Sequence, residues 1–349
     1  MLGALLVSCN DSTPQENEAQ PSINAFPYRI ELTSVGVVQD TLFDHFIPGL
    51  TRFRRTLSGA MLVGPMLRGG ETALARLNAD LSTAERQVRR GFGPGEASGW
   101  FVFGVAGNDA LVIAAEELGL VQVLEPGGSL RFSAPMLRHL DGVGLCGDRV
   151  VMTGSAHLAG VLTSGVFAAD SAQGEAELLH ALRTDTTRRS VEPHVTLLSV
   201  RHDRALAGIP NRAEVAVSDS GCKTMRRVAL PLPWFLPWSG NAGGVDLRPH
   251  VVEVQWHNDT SAFMVVVRAN PAAGVSSGAG VTDAPKARVV KVPMFLTDLI
   301  AFHVHSGRIL AHESVPLTPY MFTSADEVSV HDRLREATEL FRLRLVRTK

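Results

Sequence analysis

Short apolar runs separated by turn residues dominate the body of the chain. They are three to six residues long and rich in Val, Ile and aromatic residues, which is typical of β-strands. The runs cover residues 111–114, 120–124, 150–152, 195–200, 251–256, 262–267 and 341–345. Only residues 71–87 and 332–339 have a helix-favouring composition. The prediction of a helix is weak in both, because each is interrupted by turn residues or lacks a sustained apolar period of 3.6 residues. The pattern predicts an all-β protein.

A polar turn that ends in Asp and leads into an apolar strand recurs along the chain. Its four clear copies end at Asp109, Asp148, Asp203 and Asp259, and weaker copies lie around Gly59 and Asp326. The mean interval is about 53 residues, slightly longer than the 40–50 that four-stranded propeller blades use. The repeat therefore predicts a series of similar blades.

A second turn, marked by Gly128, Gly221 and Gly307, follows the first within three units. The separation is 19 residues from Asp109 and 18 from Asp203, but 48 from Asp259. The excess falls on residues 269–287, a Gly, Ala, Ser and Pro stretch with the composition of an inserted loop. We expect this insertion to be a mobile surface loop that folding does not require.

Composition narrows the protein class. The 349 residues are 45% hydrophobic and 19% charged, as in globular proteins. The formal net charge is −2 and no basic stripe is present, which disfavours nucleic acid as a partner. No run of eighteen apolar residues occurs, so a membrane association would need an anchor.

The N-terminus indicates such an anchor. Leu6-Val7-Ser8-Cys9 resembles the bacterial lipobox, in which the Cys becomes lipidated, and a polar tether follows to about residue 25. Only eight residues precede Cys9, and none is Lys or Arg, so a start codon further upstream or an ordinary frayed terminus are the alternatives. We predict a residual signal peptide at 1–8, a tether at 9–25 and a propeller at 26–349. The lipid would hold the protein in the cell envelope, facing the periplasm or on the outer membrane.

With Cys9 acylated, Cys146 and Cys222 are the remaining thiols. In an oxidising compartment they could pair or stay buried and free. Small disulfide scaffolds carry many more cysteines, and a chain of this size can fold without them, so the sequence favours two buried free thiols.

One region carries a family resemblance. The link Gly91-Phe92-Gly93-Pro94-Gly95-Glu96, the core Val121-Gln122-Val123 and the turn at Gly127-Gly128 resemble a blade of the bacterial six-bladed β-propeller lipoproteins related to NHL-repeat proteins. The match is close over residues 88–132 and recognisable from about 28 to the C-terminus, although Ala97 replaces the usual Phe. The resemblance implies a six-bladed propeller of four-stranded antiparallel blades, in a family largely without an assigned activity.

The link can also be explained from its own residues. Its glycines permit positive φ and Pro94 fixes one φ, so the chain can cross sharply between blades. A phosphate loop is the rival interpretation, but the G-x-G-x-x-G spacing is absent and Glu96 would repel phosphate.

Strands at both ends of the chain predict how the ring closes. Phe341, Leu343 and Leu345 alternate with arginines, and residues 28–33 alternate in the same way. The last unit is short, so a strand from the N-terminus would complete its blade and hide both sheet edges.

Several residues have side chains of the kind found in metal sites or active sites, but the sequence around them lacks the other features that such sites need. His303 and His305 could share a strand face as metal ligands do, but lack a third ligand, so we interpret them as solvent-facing or interblade residues. His194, His202, His250 and His257 are scattered. Ser276 lies in a G-x-S-x-G match inside the insertion, without the strand and helix of a nucleophile elbow. Residues 231–238 form a rigid aromatic tract that predicts either interblade packing or a partner surface.

These observations favour a non-catalytic recognition or scaffold protein, monomeric and tethered to the envelope, because propellers present loop-built faces. Its partners would be the membrane, through the lipid on Cys9, and an unidentified protein or small molecule. No catalytic residue, metal ligand set or cofactor is identified. The alternative is a metal-dependent hydrolase or lyase with its site in the central channel.

Overall fold

The computed structural model describes residues 26–42, 51–68, 71–97, 99, 101–137, 139–170, 176–185, 197–236, 248–270, 295–315, 321–332 and 335–348. These residues form 25 strands and two short 3-10 turns, Asp40–Leu42 and Glu116–Leu118. The strands make six antiparallel sheets, so the predicted six-bladed β-propeller is confirmed.

Each blade contains four main strands. Running from the inner to the outer edge, they are β2 (Arg52–Arg55), β3 (Met61–Arg68), β4 (Glu71–Leu77) and β5 (Ala84–Arg90) in blade 1; β7 (Phe101–Val105), β8 (Leu111–Ala115), β9 (Leu120–Leu124) and β10 (Leu130–Pro135) in blade 2; β11 (His139–Cys146), β12 (Arg149–Leu158), β13 (Val161–Ala169) and β14 (Glu177–Asp185) in blade 3; β15 (Leu197–Arg201), β16 (Arg204–Gly208), β17 (Glu214–Ser218) and β18 (Met225–Ala229) in blade 4; β19 (His250–Trp256), β20 (Ser261–Ala269), β21 (Phe295–His303) and β22 (Ile309–Val315) in blade 5; and β23 (Met321–Ser324), β24 (Glu327–Asp332), β25 (Ala337–Arg347) and β1 (Tyr28–Gln39) in blade 6. A short parallel strand, β6 (Glu96–Ala97), adds to β5.

The two helical candidates are wrong. Residues 71–87 form most of the β4–β5 hairpin, and 332–339 span the connection from β24 to β25. Leu74 and Val88 are buried against blade 2 and Leu77 is buried against blade 6, so packing between blades outweighs the local helix preference.

The N-terminal strand closes the ring, as predicted. β1 pairs antiparallel with β25 from Tyr28 opposite Arg347 to Gln39 opposite Ala337. A bulge between Ser34 and Gly36 shifts the register and reverses the face that later residues present. Consequently Ile30 packs in the cluster shared with blade 5, whereas Val38 packs in the cluster shared with blade 1.

The apolar core lies between the blades. The described residues form six buried clusters, and each cluster joins two neighbouring blades around the ring. Between blades 5 and 6, for example, the Phe263 and Phe322 rings stack with centroids 6.0 Å apart. Blades therefore depend on their neighbours for burial.

Blades 3 and 4 are also joined covalently. Cys146, at the end of β11, forms a disulfide with Cys222, with a Cα–Cα distance of 6.3 Å and a sequence separation of 76. The expectation of two free thiols is therefore wrong. Apart from the cystine, the buried apolar side chains described at this interface are valines and alanines, among them Val151 and Ala205. Small side chains bring the blades close enough for the bond, and composition alone could not show that approach.

The strand connections divide the ring into two ends. The repeated Asp turns join first to second strands, and the Gly turns join third to fourth strands, all at one end, which we call the turn end. The connections between blades and between second and third strands lie at the opposite link end. Ala269 pairs with Phe295, so the predicted insertion connects β20 to β21 at the link end, and its residues 271–287 lie outside the described residues.

The predicted residual signal peptide, residues 1–8, and the predicted tether, residues 9–25 with Cys9, also lie outside the described residues. Within the described part of the chain, no helix has the length and apolar character needed to cross a membrane.

Candidate functional site

The repeated aspartates join the blades at the turn end. Asp109 of blade 2 accepts hydrogen bonds from the backbone N–H groups of Leu57 and Ser58 in the turn of blade 1, the latter at 2.9 Å. Asp148 of blade 3 pairs with Arg131 of blade 2. Each of these carboxylates reaches back to the preceding blade, so the repeat has a structural role.

The glycine-rich link is closed by its own side chains. Glu96 accepts a hydrogen bond from Gly93 N–H at 2.9 Å, and Gln122 of β9 bonds Gly95 N–H at 2.7 Å and the Glu96 carbonyl at 2.9 Å. A Cβ at Gly91 would lie 2.0 Å from the Glu96 carboxylate. That carboxylate stands where a phosphate would need to bind, which supports the structural interpretation of the link.

The paired histidines make an interblade contact. His303 ends β21, but His305 lies in the following turn, so the expectation that they share a strand face is wrong. Arg226 of blade 4 contacts His305 Nδ1 at 2.8 Å. Burial, then the charge of Arg226, lowers the pKa of His305, which keeps the ring neutral at neutral pH. Among the described residues, no group of three His, Cys, Asp or Glu is placed to hold a metal.

The scattered histidines do not come together. His257 contacts the Ala325 carbonyl of blade 6 through Nδ1 at 3.2 Å, and His250 contacts the Arg248 carbonyl at 3.2 Å. His202 lies in the turn between β15 and β16. His194 and the Ser276 motif lie outside the described residues.

The aromatic tract packs between blades 4 and 5. Leu232 and Phe235 are buried in the cluster that joins these blades. The Trp234 ring packs over the Arg268 guanidinium, with 4.9 Å between the ring centroid and Cζ. It also stacks on the His312 ring, with the two ring centroids 5.8 Å apart. Leu236 is exposed, and Pro237 and Trp238 lie outside the described residues. The packing interpretation holds for the described part of the tract.

Beneath Trp234 is a buried polar network. Asp298 pairs with Arg268 at 2.5 Å and with His312 Nε2 at 2.8 Å, and it accepts a hydrogen bond from Ser314 Oγ. Burial alone would raise the pKa of Asp298, but the hydrogen bonds from His312 and Arg268 outweigh it and lower the pKa. Because His312 and Ser314 both bond the same Asp298 oxygen, Oδ1, the group lacks the relay order of a catalytic triad. It is a satisfied ion pair.

The inner edges of blades 1, 5 and 6 are linked by ion pairs. Arg54 of β2 pairs with Glu253 of β19 at 3.1 Å and bonds the carbonyl of Phe322 in β23, which lies between them in the ring. Arg55 pairs with the buried Glu327 of β24 at 2.9 Å. Two carboxylates near the axis are thus held by arginines. Sequence reasoning missed these pairs, although the Arg-Phe-Arg-Arg pattern of β2 was a possible signal.

A cavity of about 170 Å³ opens at the turn end between blades 4 and 5. The β15–β16 turn and the end of β19 position its walls, and the lining residues are Arg201, His202, Asp203, Arg204, Trp256 and Asp259. His202 has a left-handed φ of 53°, and its carbonyl accepts a hydrogen bond from Gly147 N–H of blade 3 at 3.2 Å. The cavity wall is therefore fixed by three blades.

The lining groups differ in whether they already have partners. Arg201 binds Asp259 at 3.0 Å, which lowers the pKa of Asp259, and Ser220 Oγ donates to Asp203. In contrast, Trp256 is 1% exposed and its indole N–H is buried without an acceptor among the described residues. The Arg204 guanidinium and the His202 ring, which also line the cavity, make no side-chain hydrogen bond among the described residues. We therefore assign this cavity as the candidate binding site.

A second cavity, of about 390 Å³, lies beside the turns of blade 1. Its wall includes Arg55, already paired with Glu327, together with Arg76 and Glu85 of the neighbouring hairpin. Among the described residues, two buried side-chain atoms have no hydrogen-bond partner, Glu214 Oε2 and Trp256 Nε1. Neither atom belongs to a residue that lines this second cavity. It therefore has weaker support as a binding site.

Comparison with known proteins supports the fold. No protein-family model and no curated protein matches the sequence. A DUF4221-family member from Bacteroides vulgatus has a TM-score of 0.60 and 8% identity, covering 92% of this chain and 100% of that chain. A Bacteroides fragilis protein named as exported has a TM-score of 0.50 and 10% identity over 92% and 96% of the two chains. At these identities the likeness shows the propeller fold alone.

Proposed function

We propose that the protein is a non-catalytic recognition module of the cell envelope, which binds a small molecule in the cavity between blades 4 and 5. The observation that carries the proposal is a recessed cavity lined with charged and polar groups, of which the Arg204 guanidinium and the His202 ring make no side-chain hydrogen bond among the described residues. An occupant with an acceptor would give the Arg204 guanidinium a partner.

The groups of the cavity favour binding over chemistry. Indole N–H and guanidinium groups donate hydrogen bonds but do not act as acids or bases near neutral pH. Asp259 is kept ionised by Arg201, which suits it poorly as a general acid. Elsewhere, Glu253 on the inner strand of blade 5 and Glu327 on the second strand of blade 6 are engaged by arginines. Recognition therefore fits the arrangement better than a channel metalloenzyme.

Three observations support a location in the envelope. The disulfide of Cys146 and Cys222 is a bond that persists in oxidising compartments. Leu6-Val7-Ser8-Cys9 matches a lipobox. A structural neighbour from Bacteroides fragilis is named as exported. With the link motif, these features support kinship with the NHL-like propeller lipoproteins.

Replacing Cys9 tests the anchor. When the chain is expressed behind a bacterial lipoprotein export signal, the wild type is expected in the membrane fraction and the Cys9→Ser variant in the soluble fraction, because the lipid is the only anchor proposed. Fractionation followed by immunoblotting measures the partition, with Ser8→Ala, which keeps Cys9 and a small residue before it, as the control. Identical partition of wild type and Cys9→Ser would refute lipid anchoring and leave the ring unaffected.

Recognition predicts that purified wild-type protein retains a small molecule that the Arg204→Gln variant does not. Arg204 lines the cavity and Trp256 lies deep in the fold, so the arginine can be replaced without opening the core.

A further inference from the structure

The donors in the cavity outnumber its free acceptors. Asp203 and Asp259 have partners in Ser220 and Arg201, as described above. The Arg204 guanidinium and the His202 ring make no side-chain hydrogen bond recorded among the described residues, and the Trp256 N–H has no acceptor. An occupant of this cavity must therefore supply acceptors.

The surroundings add positive charge. Arg226 lies on the neighbouring outer strand, where it contacts His305, and Arg204 lies close enough to contribute to the lowered pKa of His305. Arg201, Arg204 and Arg226 thus concentrate at this end of blade 4. In a recessed site such charges act more strongly on an anion than they would in bulk water.

We propose that the cavity binds the oxyanion group, carboxylate or phosphate, of a small molecule. The proposal rests on the proposed recognition function and specifies its ligand chemistry. Arg204 supplies the charge and the hydrogen-bond donors, and Trp256 lies in the cavity wall, where its resonance can report the occupant. A volume of about 170 Å³ holds such a group with part of the molecule that carries it.

The indole resonance of Trp256 provides the test. The protein contains four tryptophans, and the Trp256→Phe variant identifies the signal by its loss from a ¹⁵N-correlated spectrum. Sodium acetate and sodium phosphate are titrated separately into protein that has been exhaustively dialysed to remove any retained molecule, at an ionic strength held constant with sodium chloride. We expect a saturable shift of the Trp256 N–H signal, because the Trp256 ring lies in the cavity wall, and the apparent affinity weakens about tenfold or more in Arg204→Gln. A response to acetate alone indicates a carboxylate, and a response to phosphate alone indicates a phosphate.

Arg212→Gln is the matched control. Arg212 lies in the same blade at the link end, 4.0 Å from Glu214, so this change removes the same charge far from the cavity. The Trp256 N–H signal of the Arg212→Gln variant should respond to acetate and phosphate as the wild-type signal does. The inference is overturned if neither oxyanion moves the signal, or if Arg204→Gln responds as the wild type does. If the protein instead retains a neutral ligand that Arg204→Gln loses, recognition stands and the oxyanion assignment fails.

Discussion

Deletion of residues 26–35 is expected to destabilise the entire ring by more than about 5 kcal/mol, rather than one blade. The deletion removes most of β1, exposes the edge of β25 and withdraws Ile30 from the cluster between blades 5 and 6. Every blade buries its apolar residues against two neighbours, so an open ring loses cooperativity. Thermal unfolding followed by circular dichroism measures the loss, and unchanged cooperative unfolding would contradict closure by β1.

Two adjacent valines provide a matched control for that deletion. Val38 is 0% exposed between blades 6 and 1, whereas Val37 is 45% exposed on the other face of β1. Val38→Asp buries an unpaired carboxylate and should cost several kcal/mol. Val37→Asp should cost about 0.5 kcal/mol or less. Equal losses would show that β1 does not pack in this register.

Removal of the disulfide is expected to lower the stability by about 4 kcal/mol. Cys146 and Cys222 close a loop of 76 residues, and the interface that they bridge has small apolar side chains. The Cys146→Ala and Cys222→Ala double variant preserves the burial of two small residues and removes only the bond. Denaturant unfolding with and without a reducing agent measures its contribution.

The reducing agent supplies the internal control. It should destabilise the wild type as much as the double substitution does, and it should leave the double variant unchanged. A wild-type midpoint that is insensitive to reduction would contradict the covalent link between blades 3 and 4.

Local pattern was sufficient to predict much of the architecture. The run at 111–114 matches β8, Leu111–Ala115, because a strand buried on both faces needs a continuous apolar sequence. The Asp turns mark the first hairpin of blades 2 to 6 because hairpin turns need polar residues, and some of these tolerate left-handed φ, as Asp109 does at 63°. The helical interpretation of 71–87 failed because β4 and β5 pair with adjacent strands and Leu74 and Val88 pack against blade 2.

The candidate site could not be predicted in this way. Trp256 is the last residue of β19, in which apolar residues alternate, so the sequence indicates a core residue. Its burial in the structure confirms that interpretation. That its N–H has no acceptor depends on how two blades meet, which is a property of the packed ring. The position of Asp259 in the repeat predicted a turn, but its pairing with Arg201 of the preceding blade requires the ring geometry.

Retention of a small molecule by the purified protein tests most directly whether the ring is a recognition module. Wild-type, Arg204→Gln and Arg212→Gln proteins are purified in parallel, denatured in methanol, and the released molecules are quantified against protein by mass spectrometry. We predict one compound, close to stoichiometric with the wild type and with Arg212→Gln and at least about tenfold depleted in Arg204→Gln. Equal release from all three proteins, or none from any, would contradict recognition at the cavity between blades 4 and 5.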